Sequence, residues 1–126
     1  MGDAVGRLRR LTSPVDRLSS ARSLAKERDC IVVLKGHRTL IALPDGEVWI
    51  NPTGSPSLAK GGTGDVLTGL IAGMVAQFPN DIPTAVRAAV WLHGRAGQLG
   101  TDDVTDKCVL ATDLLTYLPR AIRECA

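Results

Sequence analysis

The sequence predicts an α/β layered fold, and three observations carry that expectation. Helical and strand periodicities alternate through the first half of the chain and give way to helices in the second. Cys30-Ile31-Val32-Val33-Leu34 is apolar at consecutive positions, as in a central strand covered by helices on both faces. Aromatic residues make up 3% of a chain that is 44% hydrophobic, so the core must be built from Leu, Val, Ile and Ala. That composition suits helices packed on a sheet better than an aromatic-rich β-sandwich. A length of 126 residues closes one core, so a single unit over residues 1–126 is expected.

Ser13-Pro14 followed by Val15, Leu18, Ala21, Leu24 and Ala25 reads as an N-cap, a proline at the first helical position and an apolar stripe at helical spacing. This helix should end near Arg28-Asp29, ahead of the strand at Cys30. Thr39-Leu40-Ile41-Ala42-Leu43 and Glu47-Val48-Trp49-Ile50 flank Pro44-Asp45-Gly46, whose turn chemistry predicts a hairpin. A loop dense in Pro and Gly, residues 51–64, leads into a helix starting at about Asp65. There Val66, Leu67, Leu70, Ile71, Met74 and Val75 repeat at helical spacing until Phe78-Pro79. A third helix is expected from Pro83 to Leu99, with Ala85, Ala88, Ala89, Leu92 and Ala96 as its contacts. A fourth should run from Thr112, as N-cap, through Leu114, Leu115 and Leu118 until Pro119 interrupts it.

Charge and cysteine content exclude several classes of function. The formal charge of +2 arises from 15 basic and 13 acidic side chains spread along the chain, apart from Arg7, Arg9 and Arg10, which read as a solvated cluster. Such a mixture presents no field of one sign to a nucleic acid or an anionic membrane. Cys30, Cys108 and Cys125 are odd in number, far apart and outside any C-x-x-C pair, so free thiols are expected and a disulfide framework or zinc site is not. The first residues lack a signal-peptide apolar core, and the most apolar stretch, residues 66–76, is too short to span a bilayer. A cytoplasmic location is the resulting expectation.

The chemistry concentrates in Ala59-Lys60-Gly61-Gly62-Thr63-Gly64-Asp65-Val66-Leu67-Thr68-Gly69. Glycines let the backbone approach a ligand closely. The unpaired N–H groups of a first helical turn, with the positive end of its dipole, attract phosphate. A carboxylate beside an anion site is electrostatically awkward, which points Asp65 towards proton transfer. The alternative is a tight turn with an ordinary helix-start Asp, which the dipole favours. The block is not a Walker A loop, because no Gly-Lys-Ser/Thr follows, and not a dinucleotide fingerprint, because Leu67 stands where the third glycine belongs.

Three segments occur together in order: Lys35-Gly36-His37-Arg38-Thr39, Asn51-Pro52-Thr53-Gly54-Ser55-Pro56 and the glycine block through Asp65. Together they resemble the K-G-x-x-T, N-P-T-G-x-P and G-G-T/S-G-D-V-L-x-G patterns of the NAD(P)H-hydrate dehydratases, a branch of the ribokinase-like superfamily. The likeness continues through Leu92-His93-Gly94-Arg95-Ala96-Gly97 to Ala111-Thr112-Asp113-Leu114, covering nearly everything after residue 13. It implies a ribokinase-like α/β/α fold, of which this chain is the C-terminal half. It also implies repair of the hydrated forms of NADH and NADPH, with ADP more than ATP as co-substrate, giving NAD(P)H, AMP and phosphate. By the same resemblance Lys35, Gly36, His37, Arg38 and Thr39 line the adenine nucleotide, and Gly64 contacts its phosphate. Gly62, Thr63 and Gly64 form the anion hole, and Asp65 meets the hydrate and acts as its base. Mg²⁺ belongs to the full-length family, with its ligands outside this chain. Lys60 has two readings, a phosphate contact or a solvated lysine. His93 reads as a packed core histidine, Asn51 and Thr53 as loop-shaping residues, and Trp49 and Trp91 as packing.

The family domain is longer on its N-terminal side, where it carries a P-H-P-G-E segment. Gly2-Asp3-Ala4-Val5-Gly6-Arg7-Leu8 reads as a degraded remnant of the end of that segment. The chain is therefore expected to begin within a domain and to act as a homo-oligomer or with a separate N-terminal half. Two other functions are compatible with the residues. One is a small-molecule kinase of the same superfamily, because the glycine block and Asp65 serve hydroxyl phosphorylation equally well. The other is a non-catalytic remnant that binds adenine nucleotide.

Overall fold

The computed structural model describes residues 14–125, and the chain divides after Asn51 into two compact units. Ser13, the three arginines of residues 7–10 and the segment 2–8 lie outside the described residues.

The first unit contains helix α1 (Pro14–Arg28) and three strands, β1 (Val32–Leu34), β2 (Leu40–Ala42) and β3 (Val48–Ile50). The strands form one antiparallel sheet in the order β1-β2-β3, with Val33 opposite Ile41 and Ile41 opposite Trp49. Ala21 and Ala25 of α1 are completely buried and pack with Ala42, bordered by Val32, Leu34 and Val48. Alanines on the inner face of the helix let its backbone come close to the sheet.

The strand expected at residues 30–34 is present in shortened form. β1 starts at Val32 rather than Cys30, is half-buried, and has β2 as its one partner among the described residues. The central, wholly buried strand is β2. Cys30 is lost to the strand because the helix terminus claims it. Asp29 turns to a φ of 50°, and the Cys30 N–H donates to the Ala25 carbonyl at 3.1 Å, the type of backward bond that closes a helix C-terminus. The predicted hairpin is present. Leu43 N–H donates to Glu47 at 2.8 Å, Gly46 turns at a φ of 97°, and the Asp45 carboxylate accepts from the Glu47 N–H at 2.8 Å.

The second unit follows with a short 3₁₀ turn (Pro56–Ala59) and helices α2 (Thr63–Gln77), α3 (Ile82–Val104) and α4 (Asp113–Glu124). The middle helix packs against both others. Leu92, Ala96 and Leu99 of α3 meet Val109 and Leu114, Tyr117 and Ala121 of α4, while Val66, Leu70 and Met74 of α2 close the same core.

Helix α3 runs five residues past the expected end at Leu99. Glycine in a helix interior costs about 1 kcal/mol relative to alanine, and the helix passes through two of them here, Gly97 and Gly100. Both are buried where neighbours come close. A Cβ at Gly97 would lie 2.9 Å from the Leu58 side chain, and one at Gly100 would lie 3.1 Å from Val109 and 3.2 Å from Tyr117. Close packing thus retains the helix across two weak positions.

Helix α4 is corrected twice. Pro119 sits inside it, exposed, and does not end it, because Leu114, Tyr117 and Ala121 bury one continuous face on either side of the proline. Thr112 occupies the cap position without a side-chain cap bond. The first N–H groups of the helix go instead to the carbonyls of Leu110, Ala111 and Thr112, and the Asp113 carboxylate accepts from the Leu110 N–H ahead of the helix at 2.8 Å. Leu115 is 59% exposed, while Leu114 beside it is fully buried. At the far end Glu124 pairs with Arg95 of α3 at 2.6 Å. Among the described residues no helix is long and apolar enough to cross a membrane, and Cys30, Cys108 and Cys125 are free and exposed.

Candidate functional site

In the second unit the glycine block forms the entry to α2. Gly62 is the N-cap at φ 89° and ψ −20°, a left-handed conformation that side chains disfavour. A Cβ there would also approach the Ala111 Cβ to 3.0 Å. The helix begins at Thr63, two residues ahead of the expected start, so Thr63, Gly64 and Asp65 occupy its first three positions.

These three residues divide into an anchored one and two presented ones. Thr63 is 1% exposed. Its hydroxyl lies 2.7 Å from the Leu58 carbonyl and 2.8 Å from the Lys60 carbonyl, so it is used inward. Its N–H reaches Lys60 O at a long 3.4 Å, and its carbonyl accepts from His93 Nε2 at 2.9 Å. Among the described residues no acceptor pairs with the N–H of Gly64 or Asp65, nor does any donor pair with the Asp65 carboxylate, which is exposed. Two free N–H donors at a helix start suit an anion, and a free carboxylate beside them can take a proton.

The surrounding side chains fix this entry. The Lys60 ammonium donates to the carbonyls of Asp106 and Val109, both at 2.7 Å. Both expected readings of Lys60 give way to this: it fastens the glycine block to the segment that follows α3. His93 is 4% exposed and hydrogen-bonded, as expected for a core histidine. Thr53 shapes its loop by donating to the Trp91 carbonyl at 2.9 Å, and Gly94 makes room for it, since a Cβ at 94 would collide with the Thr53 hydroxyl and lie 2.8 Å from its backbone carbon. Ser55 caps the 3₁₀ turn through the Ser57 N–H at 3.0 Å and meets the Thr101 hydroxyl at 2.6 Å. Trp91 packs on the core, and Trp49, in the first unit, donates to Glu47 at 2.7 Å.

In the first unit Lys35, Gly36, His37 and Arg38 form an exposed turn between β1 and β2, with Thr39 half-buried at its end. Gly36 has a φ of 152° and Arg38 a φ of 58°. The residue that sequence reasoning missed is Arg17 of α1. Its guanidinium donates to the carbonyls of His37 at 3.1 Å, Lys35 at 3.3 Å and Leu34 at 3.4 Å. The Thr39 hydroxyl reaches the Gly36 carbonyl at 3.4 Å. No spacing rule announces such a bond, because a helical arginine reads as solvated until the turn it reaches is known.

Neither cluster offers a metal site. Among the described residues no group of three or more His, Cys, Asp or Glu side chains could hold an ion.

Comparison with known proteins identifies the family. The family model described as NAD(P)H-hydrate dehydratase matches residues 3–120. The chain is 47% identical over 104 residues to the ADP-dependent (S)-NAD(P)H-hydrate dehydratase of Bacillus subtilis, covering 82% of this chain and 37% of that protein. It is 46% identical over 111 residues to the bifunctional NAD(P)H-hydrate repair enzyme Nnr of Moorella thermoacetica, covering 86% and 20%. A crystal structure of the ADP/ATP-dependent NAD(P)H-hydrate dehydratase of Bacillus subtilis, co-crystallized with ATP/Mg²⁺, superposes with a TM-score of 0.82 at 45% identity over 86% of this chain and 39% of that one. A ribokinase-like superfamily protein of Enterococcus faecalis gives 0.74 at 35% identity over 90% and 39%. The chain spans little more than a third of the length of the Bacillus subtilis protein, and its fold is that part of the ribokinase-like architecture. With a match over nearly its whole length, this chain belongs to the NAD(P)H-hydrate dehydratase family.

Proposed function

We propose that this chain supplies the nucleotide-handling and proton-accepting residues of an enzyme that dehydrates the hydrated forms of NADH and NADPH at the expense of ADP. The observation that carries the reading is the entry to α2, where the Gly64 and Asp65 N–H groups lie without acceptors beside an unpartnered Asp65 carboxylate. In the reaction the hydroxyl of the hydrate attacks the terminal phosphoryl group of ADP. Asp65 takes the hydroxyl proton, and AMP departs with the bond-breaking electron pair. Elimination from the resulting ester then restores the double bond of NAD(P)H: the C–O bond breaks with its electron pair leaving on phosphate, and the neighbouring C–H pair becomes the double bond as its proton passes to the departing phosphate. Charge spread over a phosphoryl group in flight is what fixed N–H donors stabilise best; in the anion hole of Gly62, Thr63 and Gly64 that task falls to the Gly64 N–H, with the Asp65 N–H beside it, while Thr63 anchors the helix start and Gly62 supplies the turn.

Lys35, Gly36, His37, Arg38 and Thr39 are assigned to the adenine nucleotide. ADP is placed ahead of ATP because the Bacillus subtilis relative is named ADP-dependent. Mg²⁺ is assigned to residues outside this chain, in view of the ATP/Mg²⁺ named with the relative's structure. The complete reaction is assigned to an assembly in which this chain works as a homo-oligomer or with the remaining family sequence, without nucleic acid. A reducing cytoplasm suits its three free thiols.

The test is calorimetric titration of the purified chain with ADP, ATP and AMP, followed by an absorbance assay for NADH from its hydrate with each nucleotide. Binding with NADH recovery supports the reading and makes this chain sufficient. Binding without turnover supports the assignment of nucleotide handling to this chain and of the remaining chemistry to the rest of the family sequence. Failure of every nucleotide to bind would contradict it.

A further inference from the structure

We infer that Arg17 is a positioning residue for the turn at residues 35–39, setting which of that turn's backbone groups a ligand meets. The inference rests on the assignment of this turn to the adenine nucleotide. A guanidinium has five N–H donors in a planar fork and no acceptor. Arg17 spends that fork on three carbonyls of a single turn, those of Leu34, Lys35 and His37. The Gly36 carbonyl is engaged by the Thr39 hydroxyl at 3.4 Å. The acceptors of residues 34–37 are thus all occupied from within the protein.

The donors are left over. Among the described residues no acceptor pairs with the N–H of Gly36, His37 or Arg38. With three carbonyls held by the Arg17 guanidinium and that of Gly36 by a hydroxyl, the N–H groups of residues 36–38 are left to a ligand, together with the Lys35 and Arg38 side chains. Such a surface matches the acceptor atoms and negative charge of a nucleotide and repels cations. Gly36 fits the same arrangement, since a Cβ there would lie 2.7 Å from the Arg17 guanidinium nitrogen. Arg22, one turn further along α1, makes a single bond of the same kind, to the Gly46 carbonyl at 2.9 Å in the hairpin turn. It supplies an internal control at a place with no assigned ligand.

The experiment compares the unmodified chain with Arg17→Ala, Arg17→Lys and Arg22→Ala. ADP affinity is read by calorimetry, the order of the turn by the rate of trypsin cleavage after Lys35 and Arg38, and folding by circular dichroism. Lysine keeps the charge and the stem but replaces the planar fork with a point charge, so it serves where alanine unfolds the chain. Both Arg17 variants are expected to weaken ADP binding about tenfold or more and to quicken cleavage after Lys35 and Arg38. Arg22→Ala should leave both readouts unchanged. Unchanged affinity and cleavage in the Arg17 variants would overturn the inference, and so would equal losses in Arg22→Ala, which mark general destabilisation. Absence of ADP binding by the unmodified chain would overturn the nucleotide assignment instead, and the cleavage rates would then decide alone whether Arg17 holds the turn.

Discussion

His93 Nε2 lies 2.9 Å from the carbonyl oxygen of Thr63, joining the middle of α3 to the first residue of α2 inside the core. A carbonyl can only accept, so Nε2 carries the proton. The bond holds the residue directly ahead of Gly64 and Asp65.

Removing this bond should loosen the start of α2. His93→Ala leaves a cavity and a buried carbonyl short of a donor, and is expected to cost about 2–4 kcal/mol. His93→Gln, which can present an N–H, should recover part of the loss. Urea denaturation measures both, and a stability unchanged by the alanine variant would remove His93 from this role.

Gly94 tests how the loop at residues 52–56 is seated. Because a Cβ would collide with Thr53, Gly94→Ala is expected to cost about 1–3 kcal/mol by overpacking, where the same change at an uncrowded helix position would gain about 1 kcal/mol. Combining it with Thr53→Ser or Thr53→Ala, which trims the opposing side chain, should restore part of that stability. Additive losses in the double variant would show that the two residues do not meet.

Tyr117, the only tyrosine, donates its hydroxyl to Asp103 at 2.8 Å. That bond, followed by desolvation and the Asp103 charge, raises the phenol pKa. A raised phenol pKa means that the folded state holds the proton more tightly. The contribution is fully present below the unfolded value, about 10, and is lost as pH rises through the folded value. Stability of the unmodified chain should therefore fall at alkaline pH with the appearance of tyrosinate absorbance, and Tyr117→Phe should abolish that part of the fall. The same alkaline profile in Tyr117→Phe would assign the loss to other groups.

The parts of the molecule legible in the sequence are those where one residue type alone satisfies the backbone. Gly62 and Gly46 turn at positive φ, and Pro14 starts a helix, so the glycine block, the hairpin and the entry to α1 could be read directly. What stayed hidden depends on distant groups. The extension of α3 past Leu99 depends on Val109 and Tyr117 packing against Gly100. Pro119 looked like a breaker until the buried face on both sides of it outweighed its missing donor. Arg17 and Lys60 spend their charge on backbone carbonyls rather than on carboxylates. No charge pattern in the sequence marks such bonds.

The central claim, that Asp65 takes the proton of the hydrate beside a phosphate-holding helix start, is tested most directly by Asp65→Asn in the complete family protein carrying this chain. The asparagine keeps the shape and hydrogen-bonding reach of the side chain but is a far weaker base. NADH recovery from its hydrate with ADP should fall by about 10²–10⁴-fold, the usual contribution of a general base, while calorimetric ADP affinity stays within a few-fold. Turnover retained at the unmodified rate would contradict the account.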